Sequence, residues 1–458
     1  MSELTSPQAA RLAPSSVSPV DAAWLRMDAV HNRMIITAAC LFDEPLARAD
    51  LERLLRERLL VHPRFRQLIA PRGPLRAPRW ELDPAFDLGH HLHAVRLPEP
   101  AGERELRAFV GARAGEPLDP AHPLWEMHLV ERAGAGAAVV VRIHHAVADG
   151  LALVGVLLGL VDEGAVPAPE DVGVDVPPTP RALGARLAAA GAGLRALGKD
   201  LLLPGDPPSP FRGALGGEKR VAWSAPIPLA DVREVGRALG ATVNDVVVGA
   251  LAGAMRAYEI DARRRRPGRD LHALVPVNVR APRGDDGLGN HFGLVFVALP
   301  LREPEPLERV RQVGRRMARI KLSAEPSVAL EVLGAMGVLG STAERAGIDL
   351  FTRKASVLVT NVPGPPLAVH LAGRRLASVL VWAPTAGHIA TSATIISYAG
   401  SIRLGVATDT RVVPDPEAIV AAFEREVTCL RGLVPAHAPA APRLQPTEGW
   451  LARARRRR

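Results

Sequence analysis

The residues of this 458-residue chain best placed to do chemistry lie in "VVVRIHHAVADG", residues 139–150. A β-branched run ends there in His144 and His145, and Asp149 and Gly150 follow one helical turn later. A lone histidine beside an apolar strand is ordinarily a satisfied structural residue; two in succession before Asp-Gly invite a chemical reading. Zinc could use His145 and Asp149 at i, i+4 spacing, but structural zinc takes four ligands and catalytic zinc about three. The histidine cluster "GHHLH" at 89–93 offers no convincing third, so no metal is expected. Serine hydrolysis lacks its G-x-S-x-G elbow. Phosphate binding lacks a glycine-rich loop ending in Lys-Ser or Lys-Thr, and the "RAGAGA" turn precedes a strand instead of following one. General-base catalysis remains: a neutral imidazole with a pKa near ~6.5 takes a proton from an alcohol or amine and returns it to a leaving group.

Such a base needs a strand end to aim it and a cleft to receive substrate. "AVVVRIHH" reads as that strand, "WEMHLVE" as its hairpin partner, and "LALVGVLLGLV" as a buried helix after the motif. Upstream, residues 21–31 read as a short helix, "MIITAACLF" as a strand, and "LARADLERLLRERLLVHP" as an amphipathic helix. Composition then shifts: residues 163–217 are proline-rich around one Ala/Leu helix near 180–203, as in a domain crossover. The second half restarts at "RVAW". A helix follows at "NDVVVGALAGAMRAY", strands at "HALVPVNVR" and "GLVFVALPL", and a helical region at 305–347. Strands at "ASVLVTNVPG", "SVLVWAP", "TSATIISYAG" and "SIRLGVATD" lead to a last helix at 415–433. Strands and helices mix in both halves without strict alternation, which predicts an α/β (α+β, mixed-sheet) protein of two domains meeting at a cleft. The boundaries expected are 1–165, a linker at 166–217, 218–436, and a disordered basic tail at 437–458.

Composition narrows the partners. Of the net charge of +9, residues 443–458 hold +5 through six arginines and one glutamate, and aromatics are 4%. No basic–aromatic interleaving suggests nucleic acid. Cys40 and Cys429 match no metal or redox spacing and read as reduced, buried residues. The start has no apolar core of a secretory signal. Residues 376–402 lack charge, but "APTAGH" interrupts them, so two buried strands are expected there and no membrane span.

"HHAVADG" resembles the HHxxxDG motif of the coenzyme-A-dependent acyltransferase superfamily, which includes chloramphenicol acetyltransferase and peptide-synthetase condensation domains. Its companions narrow the resemblance. "SPVDAAWLRMD", "PLDPAHPLWEMHLVE", "ATVNDVVVGALAGAMRAY", "LVPVNVR", "GNHFGLVFVALPL", "TNVPGPP" and "SYAGSIRLGVATD" are similar, in order and spacing, to the bacterial wax ester synthase/diacylglycerol acyltransferase family over about residues 15–430.

That resemblance implies two chloramphenicol-acetyltransferase-like domains with an active-site tunnel between them. It implies transfer of a fatty acyl group from acyl-CoA, a co-substrate with no further cofactor, to the hydroxyl of diacylglycerol or a fatty alcohol. His145 would be the base, His144 its support, Gly150 the tight turn beside it, and Asp149 a structural carboxylate paired with an arginine such as Arg280. Asn244 would donate to the oxyanion, although Thr242, Asn244 and Asp245 also suit a helix cap. Pro123, Trp125, Asp245, Asn361, Gly364 and His388 would lie along the substrate path. His388 stands where family members tend to carry an Asn-containing stretch, so the acceptor stays open between the two alcohols. A condensation-type enzyme using a carrier-protein thioester, and a non-catalytic lipid-binding homologue, remain the alternatives. The apolar substrates imply a cytoplasmic protein in peripheral contact with membrane or lipid droplets, and the tail "RARRRR" is expected to favour anionic surfaces.

Overall fold

Two mixed sheets carry the site, and each is built from the β-branched runs of the sequence. The protein is represented by a computed structural model, which describes residues 14–71, 78–148, 150–162, 204–278, 292–321, 341–435 and 440–443. The first sheet has six strands in the order His370–Leu371, Arg374–Trp382, Ile35–Phe42, Gly136–His144, Trp125–Ala133 and Leu92–Val95. Its register sets Ile35 opposite His144 and Trp125 opposite Ile143, so the motif histidine leaves the sheet between two apolar neighbours. A small sheet of Ser15–Ser16, Arg79–Leu82 and Gln67–Ala70 stands apart.

The second sheet runs Phe292–Leu299, Leu271–Asn278, Val357–Pro363, Thr391–Tyr398, Ser401–Asp409 and Lys219–Trp223, with Ile227–Pro228 paired beside Ser401–Asp409. Leu271–Asn278, Val357–Pro363 and Thr391–Tyr398 are mutually parallel, so they end at one edge. Val246, Val247, Ala250 and Leu251 of the helix Val243–Arg263 pack with Val357, Val359, Ile395 and Leu404 in the main core. A mixed α/β class with two large sheets and one small one is thus observed.

The strand Arg374–Trp382 crosses the expected boundary between the halves. It follows the boundary at 218 yet pairs antiparallel with Ile35–Phe42, Trp382 opposite Thr37 and Leu380 opposite Ala39. An apolar run such as "ASVLVW" specifies burial on both faces but not which sheet supplies its partners. The charge-poor segment 376–402 accordingly holds two strands, Arg374–Trp382 and Thr391–Tyr398, in different sheets. Among the described residues no single helix is long and apolar enough to cross a membrane.

The helix expected over 46–63 is α-helical for Arg48–Leu54 and continues as a π-helix over Leu55–Leu59. The helix Glu103–Gly115 was not foreseen. Cys40 is buried, and burial pushes its thiol up to about 12. Cys429 is exposed, correcting the expectation for that residue: the last helix buries Val420, Phe423, Val427 and Leu430, a stripe that position 429 misses. The crossover helix expected near 180–203 and the arginines of 451–458 lie outside the described residues.

Candidate active site

The cross-strand bonds of the strand Gly136–His144 run on into the motif histidines, and the turn closes where the Val147 N–H donates to the His144 carbonyl (2.9 Å). His144 N–H donates to the Leu124 carbonyl (3.0 Å), and the next N–H, that of His145, donates to Met34 (2.7 Å). The Ala146 N–H donates to His144 Nδ1 at 3.1 Å, which fixes a lone pair there and leaves the proton of the neutral ring on Nε2. Burial, reinforced by the neighbouring His145, pushes the His144 pKa down to about 3. His144 is therefore a neutral support, built into the turn.

The His145 imidazole lies in an aromatic corner. It stacks on Trp24 with ring centroids 4.2 Å apart and 16° between planes, and Phe292 lies 5.5 Å away. Trp24 and Phe292 are 5.9 Å apart, so all three rings touch. The corner draws on both halves of the chain: Trp24 from the helix Pro19–Met27, Phe292 from the start of Phe292–Leu299. That helix starts where Ser18 Oγ accepts the Asp21 N–H (3.0 Å) and Pro19 occupies the first turn, which sets the depth of Trp24. Sequence reading missed both rings, since neither spacing nor composition marks a residue that stacks across the fold.

Gly150 opens the helix Gly150–Leu160. Asp149 and Arg280 lie outside the described residues. The buried arginine on the motif strand is instead Arg142, which donates to the Glu126 carboxylate and the Glu116 carbonyl. Burial raises the Glu126 pKa, but the His128 hydrogen bond and Arg142 outweigh it and hold the group down at about 2.

The second half brings Asn244 and Asn361 together. Thr242 caps the helix Val243–Arg263, its hydroxyl accepting from Asp245 N–H (3.2 Å) while the Asp245 carboxylate accepts from Thr242 N–H (2.8 Å). Asp245 is thereby engaged in a capping box, the role its place at a helix start suited in the sequence. Asn244, in the same first turn, receives a bond from the Asn361 amide at 3.4 Å. Asn361 and Gly364 line a cavity of about 120 Å³ with Arg233, Val243, Ile395 and Ser397. A side chain at 364 would run into the Ser397 carbonyl, so only glycine lets these strands approach.

Three other expected site residues have packing partners of their own. Trp125 is fully buried, donates Nε1–H to the Phe65 carbonyl (2.8 Å) and stacks on His91 at 4.4 Å. Pro123, also buried, shapes the turn before it through a carbonyl that accepts the Trp125 N–H. Both belong to the core packing beneath the motif strand. His91 Nδ1 bonds the Trp125 carbonyl (2.7 Å), which accounts for that histidine of the 89–93 cluster. His388 pairs with Asp349 of the helix Ser341–Thr352 at a half-exposed position. Among the described residues no group of three or more His, Cys, Asp or Glu side chains could hold a metal.

Similarity to known proteins decides the family. The sequence model described as the wax ester synthase/diacylglycerol acyltransferase catalytic domain matches residues 17–202, and that of the WS/DGAT C-terminal domain matches 288–431. A Mycobacterium tuberculosis protein named as a candidate diacylglycerol O-acyltransferase is 30% identical over 393 residues, 77% of this chain and 76% of its own. The chain belongs to the wax ester synthase/diacylglycerol acyltransferase family. A second M. tuberculosis relative, named a probable diacylglycerol O-acyltransferase, is 29% identical over 90% of this chain and 95% of its own. In fold, this family member matches the solved wax ester synthase/diacylglycerol acyltransferase of Marinobacter aquaeolei (TM-score 0.68, 23% identity, 92% of this chain and 100% of the other). It also matches the first condensation domain of the calcium-dependent antibiotic synthetase (TM-score 0.61, 18% identity, 94% and 98%). The two-domain fold is common to all three.

Proposed function

We propose that this chain transfers a long-chain fatty acyl group from acyl-CoA to the hydroxyl of a lipid alcohol, with His145 as general base and no cofactor beyond the CoA co-substrate. The observation that carries the reading is the His145 imidazole held in an aromatic corner at the end of the motif strand, beside a His144 kept neutral. His145 removes the hydroxyl proton as the oxygen attacks the thioester carbonyl. The tetrahedral oxyanion collapses, the C–S bond breaks, and the proton goes to the departing thiolate.

Asn244 is the oxyanion donor in this reading. Its side-chain oxygen is turned toward Asn361, which leaves its amide hydrogens for substrate, at the positive end of a 21-residue helix. The family and the names of its relatives favour diacylglycerol or a fatty alcohol as acceptor. Asp149 would brace the motif turn, paired with an arginine such as Arg280. The apolar substrates place the work at a membrane or lipid-droplet surface reached from the cytoplasm. There the terminal arginines would each contribute roughly 1 kcal/mol near anionic lipid.

The test is purified protein with palmitoyl-CoA, or a palmitoylated carrier protein, against long-chain alcohol, diacylglycerol, sterol and amine, with products read by mass spectrometry. Ester formed from the CoA donor and lost in His145→Ala by about 10²–10⁴-fold at unchanged circular dichroism is expected. More than a tenth of the rate remaining in that variant rejects the base assignment.

A further inference from the structure

Rotation about χ2 of a histidine is broad and roughly two-fold, so the backbone of a base does not by itself fix the plane of its ring. A general base works within that plane, because the lone pair that takes the proton lies in it. At His145 something must therefore hold the imidazole flat. The geometry points to Trp24 as the positioning residue: its indole face sets the plane of the His145 ring and so aims the catalytic nitrogen. This rests on His145 being the base.

Three observations support the assignment. The rings are nearly parallel, 16° between planes with centroids 4.2 Å apart, which is a face contact and not an edge packed by chance. Phe292 is tilted 53° to the imidazole and closes the corner without offering it a parallel face. Trp24 is itself immobilised: it is 6% exposed, on a helix whose first turn is locked by the Ser18 cap and Pro19. Its Nε1–H has no hydrogen-bond partner among the described residues, so the indole contributes here through its face and bulk. A phenyl ring can replace that face; an aliphatic side chain cannot.

Steady-state kinetics on Trp24→Phe, Trp24→Leu, Trp24→Met and His145→Ala, each checked by thermal melting, tests this. Misaiming a reactive group by about 1 Å costs up to about 100-fold. The Leu and Met variants are expected to lose about 10- to 100-fold in kcat while KM for acyl-CoA changes less than about twofold. Trp24→Phe should recover kcat to within about threefold of the parent. Two non-aromatic variants are used so that misfolding of one leaves the other to decide. Full kcat in a folded Leu or Met variant, or a Phe variant as impaired as they are, overturns the role of Trp24. Turnover surviving in His145→Ala overturns the base assignment instead, and the two failures are thereby distinguished.

Discussion

His144 shows how a single side chain ties this site to pH. Its folded pKa is pushed down to about 3 by burial and by His145, whereas the unfolded chain titrates near ~6.5. Below that upper value the unfolded state binds a proton that the folded state refuses. The stability contributed by a neutral His144 is thus complete above about pH 6.5 and declines by about 1.4 kcal/mol per unit as pH falls toward 3. His91 and His93, also shifted down by burial, act in the same direction. Glu126, held at about 2, adds acid sensitivity below the ordinary carboxylate range and leaves the interval from pH 6.5 to 5 to the histidines. The denaturation midpoint should therefore fall between pH 7 and pH 5, and less steeply in His144→Asn, whose Oδ1 stands where Nδ1 does and can still accept the Ala146 N–H. Identical slopes for parent and variant would remove His144 as the source.

At the scale of elements, the first turn of Val243–Arg263 separates two jobs that the sequence presents as one cluster. Thr242 and Asp245 close the capping box, and Asn244 faces Asn361 on the neighbouring strand. Thr242→Ala should lower stability by about 1 kcal/mol with the melting temperature. Asn244→Ala should leave melting nearly unchanged and lower kcat by about 10²-fold, as expected of a lost oxyanion donor. Equal melting losses in both would return Asn244 to a structural part. "TVND" is readable as a helix start but not as a division of labour, because capping and catalysis favour the same residue types there. The motif strand, its hairpin partner and the long core helix were legible for a plainer reason: each is a largely apolar run that only burial accommodates, β-branched in the motif strand and long and alanine-rich in the helix. Trp125 reads from the sequence as a core aromatic after a turn and was placed on the substrate path only by the family resemblance; its Phe65 and His91 contacts, 60 and 34 residues away, show the core packing that no local pattern announces. Trp24 and Phe292 were missed on the same ground.

Across the whole molecule, the proposed site depends on how the two sheets are held, since Trp24 and His145 come from one half and Phe292, Asn244 and Asn361 from the other. Part of that hold is the traded strand Arg374–Trp382, invisible in a linear partition. Another part is a buried polar knot. The fully buried Asp409 carboxylate accepts from the N–H groups of Gly216 and Gly217 (2.9 and 2.8 Å) and from Lys219 Nζ (3.3 Å). Lys219 also donates to Asn32 Oδ1 (3.1 Å), which accepts from the Thr385 hydroxyl (2.8 Å) as well. The Asn32 amide in turn donates to the Gly387 carbonyl at 3.1 Å. The segment before Ile35–Phe42, the end of the crossover, the turn at 385–387 and the end of Ser401–Asp409 thus share one network. Removing one member of a buried ion pair strands the other, at a cost of about 3–5 kcal/mol, while removing both relieves much of it. Lys219→Met should lower the denaturation midpoint sharply, Lys219→Met with Asp409→Asn should lower it less, and because the pair is shielded from solvent the loss should persist in high salt. Midpoints that fall additively in the double variant would mean that Lys219 and Asp409 act independently, and that the halves are held by the sheets alone.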